Sequence, residues 1–231
     1  MKRTLAKATL AALLVAGAAH GATTPPPRAD VLYNAGTAAL DRGEVGPAVA
    51  FLTAAARLEP RARDIQINLK QATIDAARTR GVESQDEIEV AHDVPFSTTE
   101  LAWAGAILLL LGAGLGIAAR LTRLPRGFAI AAVAVVLVGT TLHIWLLARA
   151  HAEAVHPEAV VIVPQLAVER GPDEPSRAPV ILGAGERVHL GPTRGGQVEI
   201  RVAGAAIGWA PHEGLWRVRE TPRYTARYAT P

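Results

Sequence analysis

The sequence predicts a membrane protein of three parts in chain order: an α-helical hairpin, a two-helix transmembrane hairpin and a small all-β barrel. Three observations predict it. Two uncharged apolar runs, Leu101 to Ala119 and Phe128 to Ala148, are separated by residues 120–127, which hold Arg120, Arg123 and Arg126 and no acid. Residues 29–78 before them are alanine-rich with apolar positions at helical spacing, and residues 158–220 after them break into short β-like runs between glycines and prolines.

The apolar runs come first because they orient everything else. At about 1.5 Å rise per residue each reaches roughly the 30 Å of a bilayer's hydrocarbon core. A short loop with Arg120, Arg123 and Arg126 stays on the cytoplasmic side, so the regions before Leu101 and after Ala148 share the opposite face. Residues 1–22 agree: Lys2, Arg3 and Lys7 precede an apolar run from Leu10 to Ala19, and Ala19-His20-Gly21 supplies small residues for cleavage. This reads as a signal peptide, with an uncleaved anchor as the alternative; either places residues 28–96 outside the cytoplasm.

Composition excludes several classes. There are 24 basic and 21 acidic residues, a formal net charge of +3, so no sequence-wide field favours nucleic acid despite a pI near 9.7. The absence of cysteine removes disulfides, thiolate metal sites and thiol nucleophiles. His151 and His156 are five apart, off the i, i+4 spacing of a helical metal site, and the carboxylates gather in the linker, residues 79–96. No phosphate-binding loop, zinc-protease or nucleophile-elbow motif is present, so neither catalysis nor a cofactor is expected.

In the first region the pattern predicts helices over about Asp30 to Asp41, Pro47 to Leu58 and Arg63 to Arg78, with Gly43 and Pro60 between them. Leu32-Tyr33-Asn34-Ala35-Gly36, Gly43, Ala48, Leu52, Ala55 and Pro60 fall at the spacings of a tetratricopeptide repeat, which this region resembles. Asn68 lies one 34-residue period after Asn34, so the third helix is similar to the first half of a second repeat. Leu32 replaces the repeat's usual tryptophan and Ala39 its large aromatic. The resemblance implies that Asp30, Tyr33, Thr37 and Asp41 lie on a partner-binding concave face. One and a half repeats make a short groove, so a small patch that docks on a partner or on the chain's own β region is the other reading.

Within the spans, Gly112 and Gly116 form a small-xxx-small pair, and Ala131, Ala132, Ala134 and Gly139 enrich the second span. These predict packing of the spans on one another, with a partner's span as the alternative. His143, near Trp145 and Arg149, is expected to hydrogen-bond at the interface rather than carry protons.

In the last region, strands are predicted at Val160 to Val163, Val180 to Leu182, Val188 to Leu190, Val198 to Val202 and Ile207 to Trp209, with Val198, Ile200 and Val202 inward. Val168-Glu169-Arg170-Gly171-Pro172, Gly185-Glu186-Arg187-Val188 and Ile207-Gly208-Trp209-Ala210 give the region its resemblance to a bacterial SH3-like domain. Gln197 stands where that family has a tryptophan. Trp209 is therefore read either as a core or rim residue or as a partner-binding platform. Residues 221–231 end the chain as a basic tail with Arg223, Tyr224, Arg227 and Tyr228.

Taken in order, these parts resemble the BatE-like proteins of bacterial aerotolerance (Bat) gene clusters. The resemblance implies von Willebrand factor A-domain membrane proteins and a MoxR-type ATPase system as partners, at the bacterial inner membrane with both modules facing the periplasm. The expected function is a non-catalytic scaffold for protein–protein interaction in envelope or stress tolerance. The alternative is a peptidoglycan-binding or wall-sensing protein.

Overall fold

A computed structural model describes residues 28–81, 96–122, 124–171 and 178–218. The leader, most of the acidic linker, Arg123 and the basic tail lie outside the described residues. Among the described residues five α-helices come first: α1 Ala29–Asp41, α2 Val45–Leu58, α3 Arg63–Thr79, α4 Thr98–Leu121 and α5 Arg126–Val155. Seven strands follow: β1 Glu158–Val161, β2 Gln165–Val168, β3 Val180–Gly183, β4 Arg187–Arg194, β5 Gln197–Val202, β6 Ala205–Pro211 and β7 Leu215–Arg217.

The turn from α1 to α2 follows from one glycine. Gly43 takes φ +72°, and the Gly43 and Glu44 amides donate back to Leu40 and Ala39, closing the helix with both orphan carbonyls satisfied. Helix α2 begins two residues before Pro47, which still sits in the first turn, where its missing amide costs nothing. Ala48, Leu52 and Ala55 face the neighbouring helices, yet burial does not stop there: Gly46 and every residue from Ala48 to Ala56 are buried. Helices α1 and α3 cover one side of α2, and β1 and β7 cover the other.

Helices α4 and α5 are long and apolar enough to cross a membrane. A capping box starts α4, Ser97 Oγ accepting from the Glu100 amide while the Glu100 carboxylate accepts from the Ser97 amide. The two helices pack antiparallel through small residues. A Cβ on Gly105 would lie 2.6 Å from the His143 ring, one on Gly112 2.7 Å from Val136, and one on Gly139 3.0 Å from Leu109. Gly116 differs from the expectation: its Cβ would make an ordinary 3.7 Å contact with Ala132, so the tight pair on α4 is Gly105 with Gly112. Ala132 and Gly139 are buried, whereas Ala131 and Ala134 face outward. Gly112→Leu should therefore destabilise the hairpin by about 1–3 kcal/mol, the usual cost of overpacking. The check is a denaturant midpoint in detergent, with Gly114→Leu as the control, since nothing lies within 4 Å of a Cβ at Gly114.

The strands form an antiparallel five-stranded sheet, ordered β6-β5-β4-β1-β7, and a two-stranded sheet, β2-β3. A backbone bridge between Glu169 and Trp209 joins them. Gly208 permits that bridge, because a Cβ there would collide with the Glu169 carbonyl oxygen. Val188, Leu190, Val198, Ile200 and Ala210 fill the core between the sheets. Val202 does not join them: the register with β6 shifts between Ile200 and Arg201, and Val202 is left exposed. Two strands, β2 and β7, fall where no strand is predicted. Beyond Ala148, α5 runs two more turns to Val155, and only His156 and Pro157 separate it from β1.

Candidate functional site

The residues expected to bind partners do not gather in one place. On the face shared by α1 and α3, Tyr33 and Thr37 meet Asn68. Asn68 Nδ2 donates to Tyr33 Oη at 3.2 Å and to Thr37 Oγ1 at 3.3 Å, and Thr37 Oγ1 donates to the Tyr33 carbonyl at 3.0 Å. All three are half-buried, so the cluster is preformed and still reachable. Asp30 is exposed and turned toward Arg28, which donates to it at 2.7 and 3.1 Å; this hydrogen bonding holds its carboxyl below the ordinary range. Asp41 is exposed at the far end of α1.

Trp209 stands elsewhere. It is half-buried on β6 and belongs to neither buried cluster, so the tryptophan that lies in a core is a different one. Trp216 on β7 is only 7% exposed and meets Phe51 of α2, ring centroids 5.5 Å apart and planes inclined by 60°. Val160, Trp216 and Val218 complete the same cluster as Leu32, Phe51 and Leu52. The helical and β regions therefore share one core.

Close backbone approach supports that junction. A Cβ on Gly46 would lie 2.8 Å from the Val161 carbonyl oxygen, and one on Gly185 2.7 Å from Ala76. Charge reinforces its edges. Arg57 pairs with Glu153 at 2.7 Å and with Glu158, which also faces Arg187 at 3.8 Å; Arg80 faces Glu186 at 3.4 Å. Arg61 pairs with Glu100 and lies over the Phe96 ring.

Among the described residues, openings lie at the junction. A cleft of about 460 Å³ lies between the start of α2 and the sheet, walled by Pro47, Phe51, Ile162 and Trp216, with Glu44 and Glu213 among its lining residues. Its size suits a bound side-chain cluster or small ligand, and both regions build it. A smaller cavity of about 160 Å³ lies between the end of α2 and the outer turns of α4 and α5.

Arg120 and Arg126 are exposed at the short turn between α4 and α5, opposite the end that carries the helices and sheet. His143 Nδ1 bonds the Gly139 carbonyl at 2.9 Å, and His156 Nδ1 bonds Leu190 O at 3.3 Å. Among the described residues no three His, Asp or Glu side chains gather as a metal would need. Asn68, Phe51 and Trp216 are the site residues that sequence reasoning passes over. Asn68 carries a signal in its period from Asn34, and Phe51 one in the charge-free run Val45 to Ala56.

The described residues define a chain with two membrane-length apolar helices and a fused helical and antiparallel-β head. No family model, curated protein or solved structure matches it.

Proposed function

We propose that this chain is a membrane-anchored, non-catalytic scaffold of BatE-like type, its tetratricopeptide-like and SH3-like modules held together outside the cytoplasm to engage an envelope protein complex. The observation that carries this reading is the burial of α2 on both sides. A repeat pair normally leaves the back of its second helix to solvent; here the β module occupies it. The opposite face, with Tyr33, Thr37 and Asn68, stays open, and the junction cleft adds a surface to which both modules contribute. A partner engaging both surfaces reads the fused head rather than either module alone.

A photocrosslinker at Thr37 or at Glu213, in native membranes, tests the scaffold. The expected product joins the chain to a second membrane protein, a von Willebrand factor A-domain protein being the family's implication. Recovery of the uncrosslinked chain alone would overturn the scaffold, and sedimentation of the full chain with insoluble wall material would favour peptidoglycan binding instead.

A further inference from the structure

The larger junction cleft carries charge of one sign. Pro47, Phe51, Ile162, Val163 and Trp216 give it apolar walls, and the ionisable side chains among its lining residues are Glu44 and Glu213, both acids. Ile162 packs against the shared core and Val163 against the barrel core, yet both stay half-buried where the cleft opens. Glu44 is already engaged by Arg42 at 3.6 Å, which leaves Glu213 as the cleft's available acid. Glu213 is exposed, and among the described residues no cation lies in ion-pair range of it. An apolar cleft with an unpaired carboxylate suits an occupant that carries aromatic surface next to a cation.

Residues 219–231 have that chemistry. Arg-Tyr occurs there twice, as Arg223-Tyr224 and Arg227-Tyr228, against one acid, Glu220, and these are two of the chain's three tyrosines. Their point of departure is fixed, because Val218 is buried and its amide donates to the Glu158 carbonyl at 3.1 Å. Val218 lies five residues past Glu213, at most about 18 Å of chain, whereas Tyr228 lies ten residues past Val218, at most about 36 Å. The segment can double back to the cleft, and Pro222 suits the turn that a reversal needs. Arg223 is only five residues past Val218 and the turn consumes part of that length, so Arg227-Tyr228 is the pair that reaches. Nearer the departure point the carboxylates are taken. Arg57 already bonds Glu153 and Glu158, and Arg149 adds a further cation to the wall of the smaller cavity.

We infer that Arg227-Tyr228 docks in the junction cleft of its own chain, the tyrosine ring on the apolar wall and the guanidinium paired with Glu213. A tether this short supplies an effective concentration on the order of millimolar, so contacts too weak to hold a separate peptide suffice. The cleft is then a surface that a partner gains by displacing the segment, while the α1–α3 face stays open throughout. That regulatory role rests on the scaffold reading, whereas the docking itself needs no partner.

The chain has no cysteine, so disulfide trapping is free of background. Thr79 is exposed and lines the cleft, and the test oxidises the full chain carrying Thr79→Cys and Ala226→Cys at low concentration, in detergent and in nanodiscs containing phosphatidylglycerol. An intramolecular disulfide should form at least about tenfold faster than in the control pair Asn34→Cys with Ala226→Cys, whose first site is exposed on α1, across α2 from the cleft. Glu213→Lys should slow the trapping about three- to fivefold, the scale of an exposed ion pair, and Arg227→Glu added to it should restore the rate. Tyr228→Ser should slow it with helical content unchanged. Equal rates for the two cysteine pairs, disulfides formed only between copies, or trapping lost in the nanodiscs as the segment moves to anionic lipid each overturn the docking and leave the scaffold untouched.

Discussion

Trp216→Ala should destabilise the head by about 3–5 kcal/mol, the range for deleting a buried aromatic side chain. The indole is 7% exposed, packs on Phe51, and sits in the one cluster that contains residues of both regions. Its removal empties the centre of the junction instead of the edge of a core. Denaturant unfolding in detergent, followed by circular dichroism, should show a lowered midpoint and a transition split between helical and β signals. Trp216→Phe should be much milder, because the indole N–H is buried with no acceptor among the described residues, and losing an unpaired donor offsets part of the lost contact. Trp209→Ala is the control: half-buried and outside both clusters, it should change the midpoint far less. An unsplit, unshifted transition in Trp216→Ala would show that the regions are neighbours without being a unit.

Replacing Arg120, Arg123 and Arg126 together by glutamine should convert a single insertion orientation into a mixture. Positive charge in a short loop is the strongest orienting term for a helical hairpin, and these three supply all the charge in residues 120–127. Reporter fusions read the result. A reporter active only outside the cytoplasm should be active after Pro231 and silent near Leu124 in the parent chain, and partly active at both places in the triple variant. The outward placement of the head is part of the proposed function, so an active reporter near Leu124 of the parent chain would remove its basis.

Much of the architecture is legible in the residues. Charge-free runs of bilayer length announce α4 and α5, and the alanine-rich periodicity with Gly43 and Pro60 announces α1 to α3, because helical spacing, glycine in the left-handed region and proline are local signals. The strands with alternating valine and isoleucine are visible for the same reason, and Val202 misleads because a bulge between strands breaks alternation without altering the sequence pattern. Strands β2 and β7 are short and carry little alternation of their own; β7 exists because β1 offers it a partner.

The junction is harder to read, because it depends on residues more than a hundred positions apart. Still, one signal was available: Val45 to Ala56 contains no charged residue, and a helix apolar all round is buried all round. The repeat-like pattern masks this, since alanine at packing positions and alanine at the back of the helix look alike. Trp209 draws attention through its Gly-Trp pair, yet it is its backbone that bridges to Glu169, with Gly208 giving the bridge room, while Trp216 fills the core. A peptide fragment confined to residues 158–231 would lay bare Val160 and Trp216, so binding studies belong on the whole chain.

The passage from α5 into β1 through His156 and Pro157 has a mechanical meaning. Arg57 clamps both sides of that passage, bonding Glu153 on the helix and Glu158 on the strand. The head is thus mounted on its stalk like a blade on a shaft. Under the proposed reading of α5 as a membrane span, a tilt imposed on α5 would carry the cleft and the α1–α3 face with it, and bilayer geometry would become an input to what the head can reach.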